Sequence, residues 1–279
     1  MKHKKINDKA CVYFHQGWTD IIMCLGLINY YNSIYKEIVV IIRSDASGIV
    51  DYYIKNLVGV SILYIPTDNG RFYGQINTAY QGEEVTLHDN TILIPSTYDI
   101  CFHGEHDKYR RDIYKDYWSR TDIVKQQTVH FSEAFYEYYD IDFNNRIDKF
   151  ELTRNNELEQ SLYHDFTAKH GKNYVLYHDD NNNSVRGNHH VDTKIDFEYV
   201  PEHTYVNLNL LSDKILDYVL ILQNAKEVHF VDSIWGCAYY QLDAKCNIFD
   251  GKEVRVYCKR GHDNMFLYPK TLKNWKLMK

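Results

Sequence analysis

Two short turns carry side chains able to do group-transfer chemistry. The first is Gly17-Trp18-Thr19-Asp20, directly after the apolar run Cys11-Val12-Tyr13-Phe14. Gly17 lets the backbone turn tightly and lets a ligand approach closely. Asp20 falls in the first turn of the helix that must follow, where free N–H groups gather. A carboxylate there is open to two readings. It can cap the helix, or it can act as a general base at the mouth of an α/β sheet, where ligands bind beyond the carboxyl ends of the strands.

The second turn is Asp232-Ser233, after the strand-like run Glu227-Val228-His229-Phe230-Val231. Ser233 stands as the N-cap of the next helix, and a helix N-terminus is a natural anion site. An ordinary capped helix without a ligand is the plain alternative. His178 ends the apolar run Asn173–Tyr177 and opens the polar stretch Asn181 to His190, which reads as a loop and carries Arg186. Asn-rich loops are commonly just solvent-exposed, but this one leaves the carboxyl end of a buried strand.

A third group, His103, His106, Asp107, Arg110, Arg111 and Asp112, lies among Tyr109, Tyr114, Tyr117 and Trp118. It reads either as a solvated helix with ion pairs at helical spacing or as a polar, aromatic wall facing an acceptor sugar. No third ligand follows His103 and His106 at a recognisable spacing, so no metal is expected.

The elements that must hold these residues follow from the hydrophobic pattern. Ile21, Ile22, Leu25, Ile28 and Ile34 recur at roughly helical spacing after the first strand. Glu37–Arg43 is a continuous apolar run, as expected of a buried parallel strand. Ser44 and Asp45 stand ready to cap a helix to about Leu57, and Val58–Ile65 is a third strand closed by Pro66. Thr91–Pro95 reads as a strand, Thr128–Tyr139 as a helix, and Arg146–Leu152 as a short strand or extended crossover. Asn155–His170 is a helix stopped by Gly171. The α/β alternation then restarts: strand 173–177, strand 204–208, a helix from Ser212 and Asp213 to Lys226, strand 227–231, a helix from Ile234, and a last strand 252–257. This predicts an α/β chain of two domains, 1–150 and 151–279.

Composition narrows the classes of function. The chain has 279 residues, 44% of them hydrophobic, enough for substantial cores. A net charge of −6 and the lack of a basic stripe argue against nucleic-acid binding. No apolar run reaches membrane-spanning length and no signal peptide precedes the first strand, so a cytoplasmic protein without a transmembrane segment is expected. The six cysteines show no metal-type spacing and fall mostly within apolar elements, as small core residues do.

The Gly-x-x-Asp turn after the first strand, and the apolar strand, Asp-Ser and helix of the second half, resemble a glycosyltransferase of the two-domain GT-B type. The likeness is to the group related to lipopolysaccharide heptosyltransferases. In that group the first turn reads Gly-Asp after a small or Leu residue, and the second reads Asp-Ser/Thr-Gly followed by a His. Here Thr19 precedes Asp20, and Ile234 and Cys237 stand at the second turn's Gly and His places. Phe102-His103-Gly104, Asp107-Lys108-Tyr109-Arg110 and Tyr177-His178-Asp179-Asp180 further resemble uncharacterised viral and bacterial proteins of that kind.

The resemblance implies two Rossmann-like domains facing each other across a cleft. It implies an acceptor on the first domain, contacted by His103, Asp107 and Arg110, and a nucleotide-diphosphate sugar held mainly by the second. It further implies inverting, metal-independent transfer with no cofactor beyond the donor itself. Asp20 matches the base. Ser233 and its helix N-terminus match the diphosphate site, with Gly17, Asp232, His178 and Arg186 as further donor-side candidates. A nucleotide-sugar epimerase of the same architecture and an inactive carbohydrate-binding protein are the alternatives.

Overall fold

The computed structural model describes residues 5–14, 18–54, 57–65, 76–78, 84–87, 90–93, 97–103, 135–136, 139–151, 153–179, 185–186, 189–190, 193–196, 198–211, 214–259 and 272–278. The chain divides into two compact units, Met1–Glu151 and Leu152–Lys279. It is a mixed α/β protein with two sheets of parallel strands.

The first unit is built on β1 (Lys9–Phe14), β2 (Glu37–Arg43), β3 (Val60–Ile65) and β7 (Tyr98–His103), in the order β3-β2-β1-β7. All the pairs are parallel, so the crossovers α1 (Trp18–Asn32) and α2 (Ser47–Ile54) connect them. β1 is central: Cys11 pairs with Val39 on one side and Ile100 on the other. Short strands β4 (Ile76–Thr78), β5 (Glu84–Leu87) and β6 (Asn90–Leu93) make a separate antiparallel sheet. The strand expected at Thr91–Pro95 belongs there.

β7 has no counterpart among the expected strands, because the polar segment after it dominates the pattern. Its Asp99 fixes the start of the chain. The carboxylate accepts the N–H groups of Ile6 at 2.8 Å and Asn7 at 3.1 Å, the Asn7 amide at 2.8 Å and the Tyr35 hydroxyl at 2.9 Å. Burial works against its charge, but these donors outweigh that and hold the carboxyl below its ordinary value.

α1 is buried nearly all round rather than along one stripe. Ile21, Ile22, Met23, Cys24, Leu25, Leu27 and Ile28 are all buried. The reason is a second neighbour: a single helical turn, α3 (Asn145–Asp148), packs on the helix, and the Tyr136 hydroxyl donates to the Met23 carbonyl at 2.6 Å. α3 corrects the strand or extended crossover expected over Arg146–Leu152. Asp142 accepts the Asn144 N–H through its side chain and the Asn145 amide through its carbonyl, a local pattern that starts a helical turn. Leu152 lies outside the described residues. A second correction concerns Asp45, whose carboxylate takes the Arg43 guanidinium at the end of β2 rather than capping a helix.

The second unit carries β8 (Tyr174–His178), β9 (Val185–Arg186), β10 (His189–His190), β11 (Thr204–Asn207), β12 (Glu227–Val231), β13 (Val254–Tyr257) and β14 (Trp275–Met278). Five of these form a parallel sheet in the order β11-β8-β12-β13-β14. α4 (Asn156–His170) precedes it. Asn155 caps this helix by accepting the Leu158 N–H, one residue outside the helix rather than its first, and Gly171, at φ 76°, ends it as expected. Of the helix expected from Ser212 to Lys226, the described part is a 3-10 turn at Ile215–Tyr218 followed by α5 (Val219–Asn224). β14 was not expected from the pattern. It is held by α6 (Ile234–Cys246), whose buried Asp243 accepts Trp275 Nε1 at 2.8 Å and the Phe249 N–H at 2.8 Å. Phe230 stacks between Tyr239 and Trp275, joining sheet and helix in one core.

Cys11, Cys24, Cys101 and Cys237 are buried, as small core residues. Of the helix expected at Thr128–Tyr139, Phe135 and Tyr136 are helical, and most of the rest lies outside the described residues. Among the described residues no helix is long and apolar enough to cross a membrane.

Two outcomes test this packing. Gly26 sits where an added Cβ would lie 2.3 Å from the Asn145 carbonyl oxygen, a backbone atom that cannot swing aside. Helix propensity alone makes Gly→Ala stabilising by about 1 kcal/mol. Overpacking reverses the sign, and Gly26→Ala is expected to lower stability by about 1–3 kcal/mol in urea unfolding. Asp99 is read by acid. Its folded carboxyl titrates below the unfolded value, so its contribution is present above about pH 4 and is lost as pH falls through the folded value. Asp99→Asn should lower the urea midpoint at pH 7 and narrow the difference between pH 7 and pH 3.

Candidate active site

Parallel pairing puts the carboxyl ends of all strands of a sheet on one edge. Ligands of open α/β sheets bind at that edge where the strand order reverses. In the first sheet β1 leads through β2 to β3 on one side, while β7 lies on the other. The reversal therefore falls between β1 and β7. In the second sheet β8 leads to β11 on one side, and β12, β13 and β14 follow on the other. That reversal falls between β8 and β12.

Residues singled out by type lie at both places. In the first unit, Asp20 is in the first turn of α1, and His103 ends β7 in register with Phe14, the last residue of β1. Gly17, Asp107 and Arg110 lie outside the described residues.

In the second unit His178 ends β8, in register with Phe230, and Asp232 and Ser233 follow the end of β12. All three are buried. Ser233 Oγ and His178 Nδ1 are 2.9 Å apart, a hydrogen bond across the reversal. This corrects one expectation. Ser233 holds the N-cap position of α6 with extended backbone, φ −136° and ψ 175°, but its side chain makes no capping bond. Its carbonyl accepts the Cys237 N–H at 3.0 Å, the first bond of the helix, while its hydroxyl is committed to His178. The N–H groups of Ile234, Trp235 and Gly236 are the first-turn donors that a helix cannot satisfy within itself. Together with the helix dipole they make this end positive.

The helix sits close to its strand. A Cβ on Gly236 would lie 3.3 Å from the Val231 carbonyl and 3.4 Å from Phe230 Cβ. Thus Gly236 stands at the helix–strand contact, three residues after Ser233. Trp235 closes the site from the helix side, its ring 6.0 Å from those of His178 and Tyr239 and 6.2 Å from that of Tyr218.

A second polar group flanks His178. Asp179 Oδ1 accepts the Asn207 amide at 2.8 Å, its carbonyl accepts the Thr193 hydroxyl, and Asn207 Oδ1 accepts the Asn209 N–H at 2.9 Å. The end of β11 is thereby tied to the end of β8. Residue types did not mark Thr193, Asn207 or Trp235; Asn207, at a strand end with an acid neighbour one strand away, leaves no local signal. Arg186 lies in β9, paired with His189 of β10, so part of the expected loop 181–190 is a short antiparallel ladder. The signal was present: Gly187-Asn188 is a two-residue hairpin sequence. Among the described residues no group of three or more His, Cys, Asp or Glu is placed to hold a metal ion.

The Ser233–His178 bond predicts a coupling. Ser233→Ala, His178→Phe and the double variant form a cycle. A direct bond gives a coupling of about 0.5–1.5 kcal/mol in urea unfolding. Additive losses would show that Ser233 acts as a cap independent of His178.

No family model matches the chain, and no curated protein matches it. Among solved structures, the glycosyl transferase family 9 protein from Veillonella parvula DSM 2008 is similar over 99% of this chain and 88% of that one, with a TM-score of 0.50 and 9% identity. At that identity the likeness is one of fold alone.

Proposed function

We propose that this protein is a glycosyltransferase that moves a sugar from a nucleotide-diphosphate donor to a hydroxyl of a carbohydrate or glycoconjugate acceptor. The observation that carries the reading is the pair of strand-order reversals, each bearing residues suited to one half of that chemistry. The fold shared with the family 9 protein agrees with it.

In this reading the donor diphosphate lies at the turn 232–234, against the first-turn N–H groups of α6. Charge developing on the departing diphosphate is offset there by the helix terminus and by Arg186. Asp232 and His178 are buried polar residues beside that turn. The acceptor hydroxyl attacks the anomeric carbon. Its oxygen forms the new bond as the bond to the diphosphate oxygen breaks, and Asp20 takes the hydroxyl proton. The configuration inverts, and no metal is required. His103, Asp107 and Arg110 hold the acceptor.

The first experiment is a thermal-shift screen with nucleoside diphosphates and nucleotide sugars, because a ligand of the native state raises the melting temperature. The second separates the two roles of Asp20. Asp20 is the third residue of α1, where a carboxylate favours the helix dipole by about 0.3–1 kcal/mol, so Asp20→Asn should cost little stability, while loss of the base should cut transfer by ~10²–10⁴-fold. Donor affinity should persist. Wild-type turnover in Asp20→Asn would remove Asp20 as the base, and product formation without any acceptor would identify an epimerase instead.

A further inference from the structure

A serine at a strand-to-helix turn beside a proposed phosphate site invites a direct role, its hydroxyl on a phosphate oxygen. The geometry argues otherwise. Ser233 is 2% exposed and His178 is 3% exposed. The Ser233 hydroxyl lies 2.9 Å from His178 Nδ1 and makes no capping bond to the helix it precedes. A buried hydroxyl proton needs an acceptor. In a neutral imidazole one nitrogen accepts and the other carries the proton. The lone pair of Nδ1 supplies the acceptor here, which makes Ser233 the donor and puts the ring proton on Nε2. The bond joins the end of β8 to the residue after β12, the two strands that flank the reversal. Trp235 packs beside the same ring at 6.0 Å, and Gly236 seats the helix on Val231 and Phe230.

We infer that Ser233 and His178 are positioning residues, which pin the β12–α6 turn to the carboxyl end of β8 and leave the contact with phosphate to the backbone N–H groups of α6. The inference rests on the donor-site reading above and deepens it, by moving two side chains from the ligand to its support. Donors held in place before the ligand arrives need no reorganisation when charge develops on it.

Two amide substitutions separate positioning from contact. The amide of Asn lies near the place of Nδ1, and that of Gln reaches the place of Nε2. A pinning His178 is replaced by Asn but not by Gln; a His178 that touches phosphate through Nε2 is replaced by Gln but not by Asn. The measurements are calorimetric affinity for UDP, ADP, GDP, CDP and inorganic pyrophosphate, and hydrogen exchange of the Ile234, Trp235 and Gly236 amides without ligand. His178→Asn should retain wild-type affinity and slow exchange. His178→Gln and Ser233→Ala should speed the exchange and weaken binding by about three- to tenfold, the worth of one hydrogen bond. Retention by Gln with loss in Asn overturns the inference in favour of direct contact, as does unchanged affinity and exchange in Ser233→Ala. Should the wild type bind none of the five probes, the donor-site reading fails by itself, and the exchange rates of the same variants still decide whether the pair pins the turn.

Discussion

Parallel strand pairing is the constraint on which the rest of this structure depends. Neighbours that run the same way cannot be joined by a tight hairpin, so each pair needs a crossover. The crossovers bring α1 and α6 against the sheets and send every strand out at the same edge. Both sheets also reverse their order once, beside β1 and beside β8. At such a place the outgoing chains part to opposite sides and leave room above the strand ends. The turns that carry Asp20 and Ser233 stand at these reversals because of the topology, whatever their chemistry.

Two buried carboxylates secure the framework away from those edges. Asp99 gathers the N–H groups of Ile6 and Asn7 with the Tyr35 hydroxyl, tying the start of the chain to β7. Asp243 holds Trp275 and Phe249, tying β14 to α6. A buried charge is tolerated only where donors surround it, and these sites meet that condition with backbone, indole, amide and phenol groups. Neither aspartate stands in a motif. Asp99 lies near the start of β7 and Asp243 in the later half of α6, so each supports an element from the end opposite its reversal.

The second reversal shows how support and site share residues. Ser233 starts α6 by backbone conformation and its carbonyl, while its hydroxyl reaches β8. Asp179 ties β8 on to Asn207 of β11. Three strand ends are therefore joined by side-chain bonds beside the positive end of a helix dipole. Such an arrangement suits a ligand whose charge grows during reaction, since the donors are already oriented.

The sequence by itself determined the alternation of strands and helices over Cys11–Ile65 and Asn173–Tyr257 and the Gly171 stop. These depend on periodicity and positive φ, which act over a few residues. The tertiary structure alone decided the strand order, the burial of α1 on every side, the joining of β7 and β14 to the sheets, and the partner of Ser233. Asp99 and Trp275 reveal nothing until the groups they bind are brought to them. Ser233 is legible as a cap because capping is local, yet its hydroxyl is drawn to His178, 55 residues away, which only the pairing of β8 with β12 brings within reach.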